Sequence, residues 1–160
     1  MQPTNILLGA DFEAKLSDFG LSKVVDVGVS HVSSEVRGTF GYVDPEYRQN
    51  HRVNAAGDVY SFGVVLLQLL SGKRVINLNV VRRPMSSSRM ILKRGGELSD
   101  FADPRLRGEY SVEAFELSLK LALSCVAHNQ QRPSMEQVVA SLETALQIST
   151  TTESYSLSIY

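Results

Sequence analysis

Apolar positions along this chain fall into three helical stretches and two short extended ones. From Gly57 to Gly72 nearly every residue is apolar: Val59, Tyr60, Phe62, Val64, Val65, Leu66, Leu67, Leu69 and Leu70. A helix apolar on all sides belongs at the centre of a domain, and Gly72 supplies its C-terminal stop. Ser111 caps a second helix to about Ala127, with Phe115, Leu119, Ala122 and Val126 at helical spacing. Ser134-Met135-Glu136-Gln137 fits a capping box opening a third, and Pro133 discourages helix just before it. Met135, Val138, Val139, Leu142 and Leu146 then fall on one face. Near the start, Ile6-Leu7-Leu8 and Ala14-Lys15-Leu16 flank a Gly/Asp-punctuated turn, which predicts a short β-hairpin.

Between these elements the pattern breaks. Residues 17–46 have no sustained period and collect Ser, Gly, His and Asp; a loop this long in a compact domain is more often functional than filler. Residues 73–110 are polar and interrupted by Pro84, Ser86-Ser87-Ser88, Gly95-Gly96 and Pro104, which predicts a loop, at least one short helix and another loop. The last helix is expected to end near Ile148, leaving residues 149–160 as a disordered Ser/Thr-rich tail. No internal repeat is visible.

Composition narrows the class. A chain of 160 residues, 43% apolar and 21% charged, suits a single globular domain rather than a disordered or fibrous one. A formal net charge of -1 gives no basic field, so a broad electrostatic grip on nucleic acid is not expected. The single cysteine, Cys125, cannot form an internal disulfide and, on an apolar helix face, reads as core packing. The longest apolar run, Val59 to Leu70, carries Ser61 and Gln68 and falls short of the ~20 residues that span a bilayer. No basic-then-apolar signal opens the chain, and the expectation is a soluble protein of a reducing compartment.

Chemistry concentrates at the hairpin. Asp18-Phe19-Gly20 follows the second strand, and Asn5 stands thirteen residues earlier at the entrance to the first. A hairpin of that length brings the Asn amide oxygen and the Asp carboxylate together at one end. Hard oxygen donors of this kind suit Mg²⁺, which takes one or two protein groups and completes its shell with phosphate and water.

Further landmarks follow in order: Gly38-Thr39-Phe40-Gly41-Tyr42, Asp44-Pro45-Glu46, Asp58 at the apolar helix, and Arg132 before the last one. With them the chain resembles the C-terminal lobe of a eukaryotic protein kinase, specifically a plant receptor-like Ser/Thr kinase. Pro3-Thr4-Asn5-Ile6-Leu7-Leu8 is similar to the end of the family's catalytic loop, and Lys15-Leu16-Ser17-Asp18-Phe19-Gly20-Leu21-Ser22 to its metal-binding loop. Asp58-Val59-Tyr60-Ser61-Phe62-Gly63-Val64 resembles the start of the central helix, and Gln131-Arg132-Pro133-Ser134-Met135 the closing Arg-Pro signature. The resemblance covers roughly residues 2–147 and implies a mainly α fold, a kinase C-lobe over residues 1–148 with a short β-hairpin carrying the metal-binding loop.

The resemblance also implies roles. Asn5 and Asp18 would hold Mg²⁺ against the phosphates of ATP, and Leu7 would floor the adenine pocket. Residues 18–46 would be the activation segment, with Thr39 orienting the catalytic loop and the incoming hydroxyl, and Ser33 or Ser34 as phosphorylation sites. Pro3 and the Gly-Thr-x-Gly-Tyr stretch favour Ser/Thr as acceptor. Glu46 would pair with Arg132 in a buried ion pair, and Asp58 would anchor the catalytic-loop backbone. Protein substrates or a partner kinase are the implied partners, in the cytoplasm or, within a longer receptor, at the cytoplasmic face of the plasma membrane.

The departures from the family pattern carry equal weight. Counting back from Asn5, the catalytic Asp belongs one position before Met1, and the Lys expected two residues after it is Gln2 here. The Gly-rich loop, the strand Lys and its partner Glu are absent from the sequence, so no N-lobe is expected and binding of Mg²⁺ and ATP should be weak or absent. The chain by itself is expected to be inactive, as part of a longer kinase; the alternatives are a non-catalytic binding or decoy module and a truncated gene product. Loss of the helix that precedes the catalytic loop is expected to uncover Phe62, Val65, Leu66 and Leu69. His31, His51 and His128 lack metal-ligand spacing, Arg82-Arg83 and Lys93-Arg94 read as solvated surface, and no function attaches to Gln68.

Overall fold

In the computed structural model, which describes residues 1–24, 28–74 and 98–157 with side chains as far as Thr151, helices dominate and two small antiparallel ladders accompany them. Strands β1 (Ile6–Leu8) and β2 (Ala14–Leu16) form the expected hairpin, with Ile6 opposite Leu16 and Leu8 opposite Ala14. Its turn closes where the Gly9 N–H donates to the Glu13 carbonyl at 3.0 Å, with Phe12 in the left-handed region at φ 61.

The long segment that follows is not wholly irregular. Val32–Ser33 forms a strand, β3, paired with β4 (Arg52–Val53). Two residues are too few for a hydrophobic period to reveal, and only the partner strand defines them. Helix α1 (Pro45–Asn50) lies between them; the Asp44 side chain caps it by accepting from the Glu46 N–H at 3.0 Å, and Pro45 occupies the first turn.

Helix α2 (Ala55–Ser71) starts two residues earlier than its apolar run, because the Asn54 side chain accepts from the Gly57 N–H at 3.1 Å. It ends where Gly72 turns left-handed at φ 65. Its Val59, Tyr60, Val64, Leu66 and Leu67 share one core with Phe115, Leu119, Ala122 and Cys125 of α3 (Val112–Cys125) and Val138 of α4 (Met135–Leu157). Helix α3 is the middle layer, packed on both α2 and α4. Its Ser111 cap accepts from the Ala114 N–H as expected, and Ser134 and Gln137 close a reciprocal capping box on α4 at 2.8 and 3.3 Å. Each fully buried Leu or Val contributes ~1.5–3 kcal/mol, so this three-helix contact is the main source of stability.

Three expectations fail here. The central helix is largely covered: Val65 and Leu66 are buried, Phe62 is half-buried, and only Leu69 stands open. The last helix meets α3 along the narrower seam Met135, Val138, Leu142 and Ala145, leaving Val139 and Leu146 exposed beside it. It also continues past Ile148 to Leu157. No Gly or Pro interrupts residues 149–157, and Thr150 and Thr151 satisfy themselves by donating to carbonyls one turn back, at Leu146 and Gln147.

Between α2 and α3, Phe101 and Ala102 enter the core and the Asp103 N–H donates to the Leu70 carbonyl at 2.8 Å. Most of the 73–110 expectation, with its Pro, Ser and basic positions from Pro84 to Gly96 and Arg82-Arg83, lies outside the described residues.

Candidate functional site

The open end of the hairpin does bring Asn5 and Asp18 together. Asn5 Nδ2 donates to Asp18 Oδ2 at 3.2 Å, and the Asn5 carbonyl accepts from Ser17 N–H at 2.8 Å and Ser17 Oγ at 3.1 Å. Asp18 adopts the left-handed region at φ 63, which an Asp tolerates because its short side chain bonds locally; here its other oxygen accepts from the Gly20 N–H at 3.3 Å. The Asn5 amide oxygen accepts from Gln2 Nε2 at 3.2 Å and Thr4 Oγ1 at 3.3 Å. Gln2 thus helps orient the Asn5 amide.

Asn5 and Asp18 line a cleft of about 480 Å³ whose opposite wall is the 34–44 segment, Thr39 included, and whose base is the start of α2. The Asn5 and Asp18 side chains therefore open onto the same space as Thr39. Asp58 also lines it and is exposed. Leu7 lies on β1 outside this cleft and is 54% exposed. Ser33 is exposed on β3; Ser34 is half-buried, with its N–H donating to the His51 carbonyl at 3.0 Å.

The wall is tied to the helical body at two places. Tyr42 is held through both backbone and side chain: its carbonyl accepts from Ser61 Oγ at 2.8 Å, and its hydroxyl donates to Gln68 Oε1 at 2.7 Å. Burial pushes the Tyr42 phenol above its ordinary range. The second tie is Arg132. Its Nη1 and Nη2 donate to the two Asp44 oxygens at 2.6 and 2.9 Å, its remaining donors reach the Ala56 and Ala127 carbonyls, and the guanidinium lies 5.1 Å from the Tyr60 ring centre.

The expected Glu46–Arg132 pair exists, but at 3.6 Å it is the outer member. Glu46 Oε1 is engaged chiefly by the Asn129 N–H at 2.7 Å, with His128 Nδ1 3.7 Å away. The residues that sequence reasoning missed are Asp44, Tyr42, Ser61 and Gln68. Asp44 carried a usable signal, an acidic residue directly before a Pro in the first turn of a helix; the others acquire their partners only through the fold.

Among the described residues no cluster of three or more His, Cys, Asp or Glu side chains could hold a metal by itself. The Asn5 and Asp18 side chains meet on an open cleft, but it is the Asn5 amide nitrogen, not the expected amide oxygen, that faces the Asp18 carboxylate; a shared Mg²⁺ would need that amide turned over and its oxygen released from Gln2 and Thr4.

Comparison with known proteins finds one family over most of the chain. The protein kinase domain model matches residues 1–142. The chain is similar to receptor-like cytoplasmic kinase 176 of Oryza sativa subsp. japonica, 43% identical over 148 residues, covering 88% of this chain and 37% of that protein. It is similar to a probable LRR receptor-like serine/threonine-protein kinase of Arabidopsis thaliana at 39% over 148 residues, covering 92% of this chain and 17% of the relative. The proline-rich receptor-like protein kinase PERK1 of Arabidopsis thaliana is 41% identical over 150 residues, covering 89% of this chain and 23% of the relative. The chain thus spans between about a sixth and just over a third of the length of these relatives.

Proposed function

The chain belongs to the protein kinase family, and on that premise we propose that residues 1–148 form the helical C-terminal lobe of a plant receptor-like Ser/Thr kinase domain. In this reading they contribute the metal-holding and acceptor-positioning half of ATP-dependent phosphoryl transfer to protein Ser and Thr hydroxyls. The observation that carries it is the Asn5–Asp18 contact at 3.2 Å, on the same cleft as Thr39.

Phosphoryl transfer asks the protein mainly for positioning and charge neutralisation. Mg²⁺, when bound, supplies the neutralisation at the ATP phosphates; the Asp18 carboxylate and, with its amide turned over from the present contact, the Asn5 oxygen are the groups that would hold it. The left-handed turn at Asp18 aims that carboxylate back at Asn5. Across the cleft, Thr39 would orient the incoming hydroxyl, and the Tyr42 and Arg132 ties would keep its segment in place. Leu7 offers the open apolar surface that an adenine floor needs. Asp58, exposed on the cleft, would anchor catalytic-loop backbone in a chain that carries that loop.

Within the 160 residues no position matches the family's catalytic Asp, Gly-rich loop or strand Lys. Loss of a general base alone costs ~10²–10⁴-fold, so a polypeptide of these residues by themselves is expected to give no turnover and to bind ATP weakly. Its partners in this reading are protein substrates or a partner kinase, and its place is the cytoplasm or the cytoplasmic face of the plasma membrane. No helix among the described residues is long and apolar enough to cross a membrane.

The test is a chimera in which the 160 residues follow the N-lobe and catalytic-loop start of a receptor-like cytoplasmic kinase. Phosphate incorporation into a generic Ser/Thr substrate should appear in the chimera and vanish with Asp18→Ala or Asn5→Ala. A folded chimera whose activity ignores both substitutions, or which has none while binding protein partners, would overturn the catalytic reading in favour of a binding module.

A further inference from the structure

The turn over Pro3–Asn5 sets Gln2 beside Asn5. The Asn5 N–H donates to the Gln2 carbonyl at 3.0 Å, and Pro3 fixes the backbone between them. Their side chains then meet, with Gln2 Nε2 donating to Asn5 Oδ1 at 3.2 Å. Thr4 Oγ1 donates to the same oxygen at 3.3 Å, and Asn5 Nδ2 donates onward to Asp18 Oδ2 at 3.2 Å. A line of hydrogen bonds therefore runs from Gln2 through Asn5 to the Asp18 carboxylate.

The members of this line differ in whether they can reverse. A carboxylate accepts and does not donate, so Asp18 by itself requires Asn5 to present its nitrogen. The opposite orientation would set an amide oxygen against a carboxylate oxygen. A hard cation on Asp18 makes the contrary demand, for oxygen. Gln2 and Thr4 can meet either demand: an amide exchanges donor for acceptor by turning over, and a hydroxyl does so by rotating. A lysine at position 2 could only donate, and a glutamate could only accept. Gln2 and Asn5 are both half-buried, so water replaces a lost partner between them only in part.

We propose that Gln2 is the positioning residue of the Asn5 amide, and that the two amides turn over together when a hard divalent cation takes the Asp18 carboxylate. The inference rests on the reading of Asn5 and Asp18 as the metal-holding pair. After the turn, the Asn5 oxygen faces the cation and its Nδ2 donates to Gln2 Oε1. Without a cation, the present hydrogen bonds hold the same residues together at the mouth of the hairpin. Gln2 gives the Asn5 amide a partner in both orientations, so the turn leaves neither end of that amide unpaired on the Gln2 side. The residue at position 2 thereby sets what it costs Asn5 to present its oxygen. A donor-only side chain there holds the oxygen back, and an acceptor-only one releases it.

The test follows the side-chain amide signals of Asn5 and Gln2 by ¹H–¹⁵N NMR on the full chain, with Mg²⁺ alone as the probe. In the metal-free protein, Asp18→Ala should shift both amides, although the hydrogen bond to Asp18 comes from Asn5. A Gln2 amide that ignores Asp18→Ala would overturn the coupling. Added Mg²⁺ should shift both amides with one midpoint in wild type, and neither in Asp18→Ala. Read from the Asn5 amide, Gln2→Lys should weaken Mg²⁺ binding several-fold and Gln2→Glu should tighten it several-fold. Both effects should persist at high salt, where a charge acting through solvent is screened. Effects that vanish at high salt would reduce position 2 to a simple charge and overturn its positioning role. Gln2 lies outside the helical core, so both variants should melt with wild type, and their opposite signs separate positioning from loss of fold. Saturable Mg²⁺ binding that is indifferent to position 2 would overturn this inference and leave the metal reading standing. No saturable shift in wild type, with Gln2 still answering Asp18→Ala, would overturn the metal reading and the cation as trigger while the amide coupling stands.

Discussion

Asp44 and Arg132, eighty-eight residues apart in sequence, form a buried bidentate pair at 2.6 and 2.9 Å. The same Asp44 caps α1, and the same arginine reaches the Ala56 and Ala127 carbonyls, so one guanidinium joins the cleft wall to α2 and to the α3–α4 junction. Asp44→Asn leaves the arginine buried without its charge partner and should cost ~3–5 kcal/mol in urea unfolding. Glu46, at 3.6 Å from Arg132 and more exposed, should matter less: Glu46→Gln keeps an acceptor for the Asn129 N–H and should cost about 1 kcal/mol. A larger loss for Glu46→Gln than for Asp44→Asn would reverse this ranking.

Gly63 of α2 lies against the end of α3. A Cβ there would stand 2.5 Å from Cys125 Cβ and 3.0 Å from Val126 Cγ1, both in the core. Alanine improves helix propensity by ~1 kcal/mol, but overpacking against α3 costs ~1–3 kcal/mol or more. Gly63→Ala should therefore lower Tm despite the better helix former, and Gly63→Ala with Cys125→Gly should recover part of the loss.

Stability should fall steeply on the alkaline side. Burial pushes the Cys125 thiol up to about 11 from 9.0, and raises the Tyr60 phenol, reinforced by the Asp44 charge and partly opposed by Arg132. A group whose value is raised on folding stabilises fully below its unfolded value and loses that contribution as pH climbs through the folded one. Between pH 9 and 11 the unfolded chain releases the Cys125 proton while the folded chain keeps it, so stability should drop by ~1.4 kcal/mol per pH unit from this group alone. Cys125→Ala should flatten the slope over that window, although it lowers stability at neutral pH. Identical slopes for both proteins would show that the thiol is not protected in the folded state.

The elements legible in the sequence are those whose signal is local and long. The α2 run, the α3 spacing and the Ser134 box are each readable within a dozen or so residues, and all three helices formed. The Asn5–Asp18 contact was legible because hairpin length fixes which ends meet. What escaped was non-local. The Ser33–Arg52 ladder is two residues long, and Tyr42 finds Gln68 only when the segment lies along α2. Arg132 was matched to Glu46 through a family motif, whereas packing gave its two terminal nitrogens to Asp44, the carboxylate already fixed by capping α1. The seam of α4 was misjudged for a related reason: period alone cannot separate Val138 from Val139 until α3 is in place.

Exposed apolar surface gathers on the hairpin and the loop that follows it rather than on the central helix. Leu7, Leu8, Phe12, Leu16, Phe19 and Leu21 are all 46% exposed or more, while Val65 and Leu66 of α2 are buried. The continuous core through α2, α3 and α4 should give the chain one cooperative melting transition, not a molten state. A hydrophobic dye should still bind the native protein, through the hairpin surface. Phe12 is 81% exposed and Phe19 is 64% exposed, so replacing both with Ser should cut native-state dye binding severalfold and leave Tm nearly unchanged. Leu69→Ser, on the exposed side of α2, should barely alter the dye signal. A broad transition in wild type, or dye binding that follows Leu69 rather than the phenylalanines, would place the weak surface on the central helix after all.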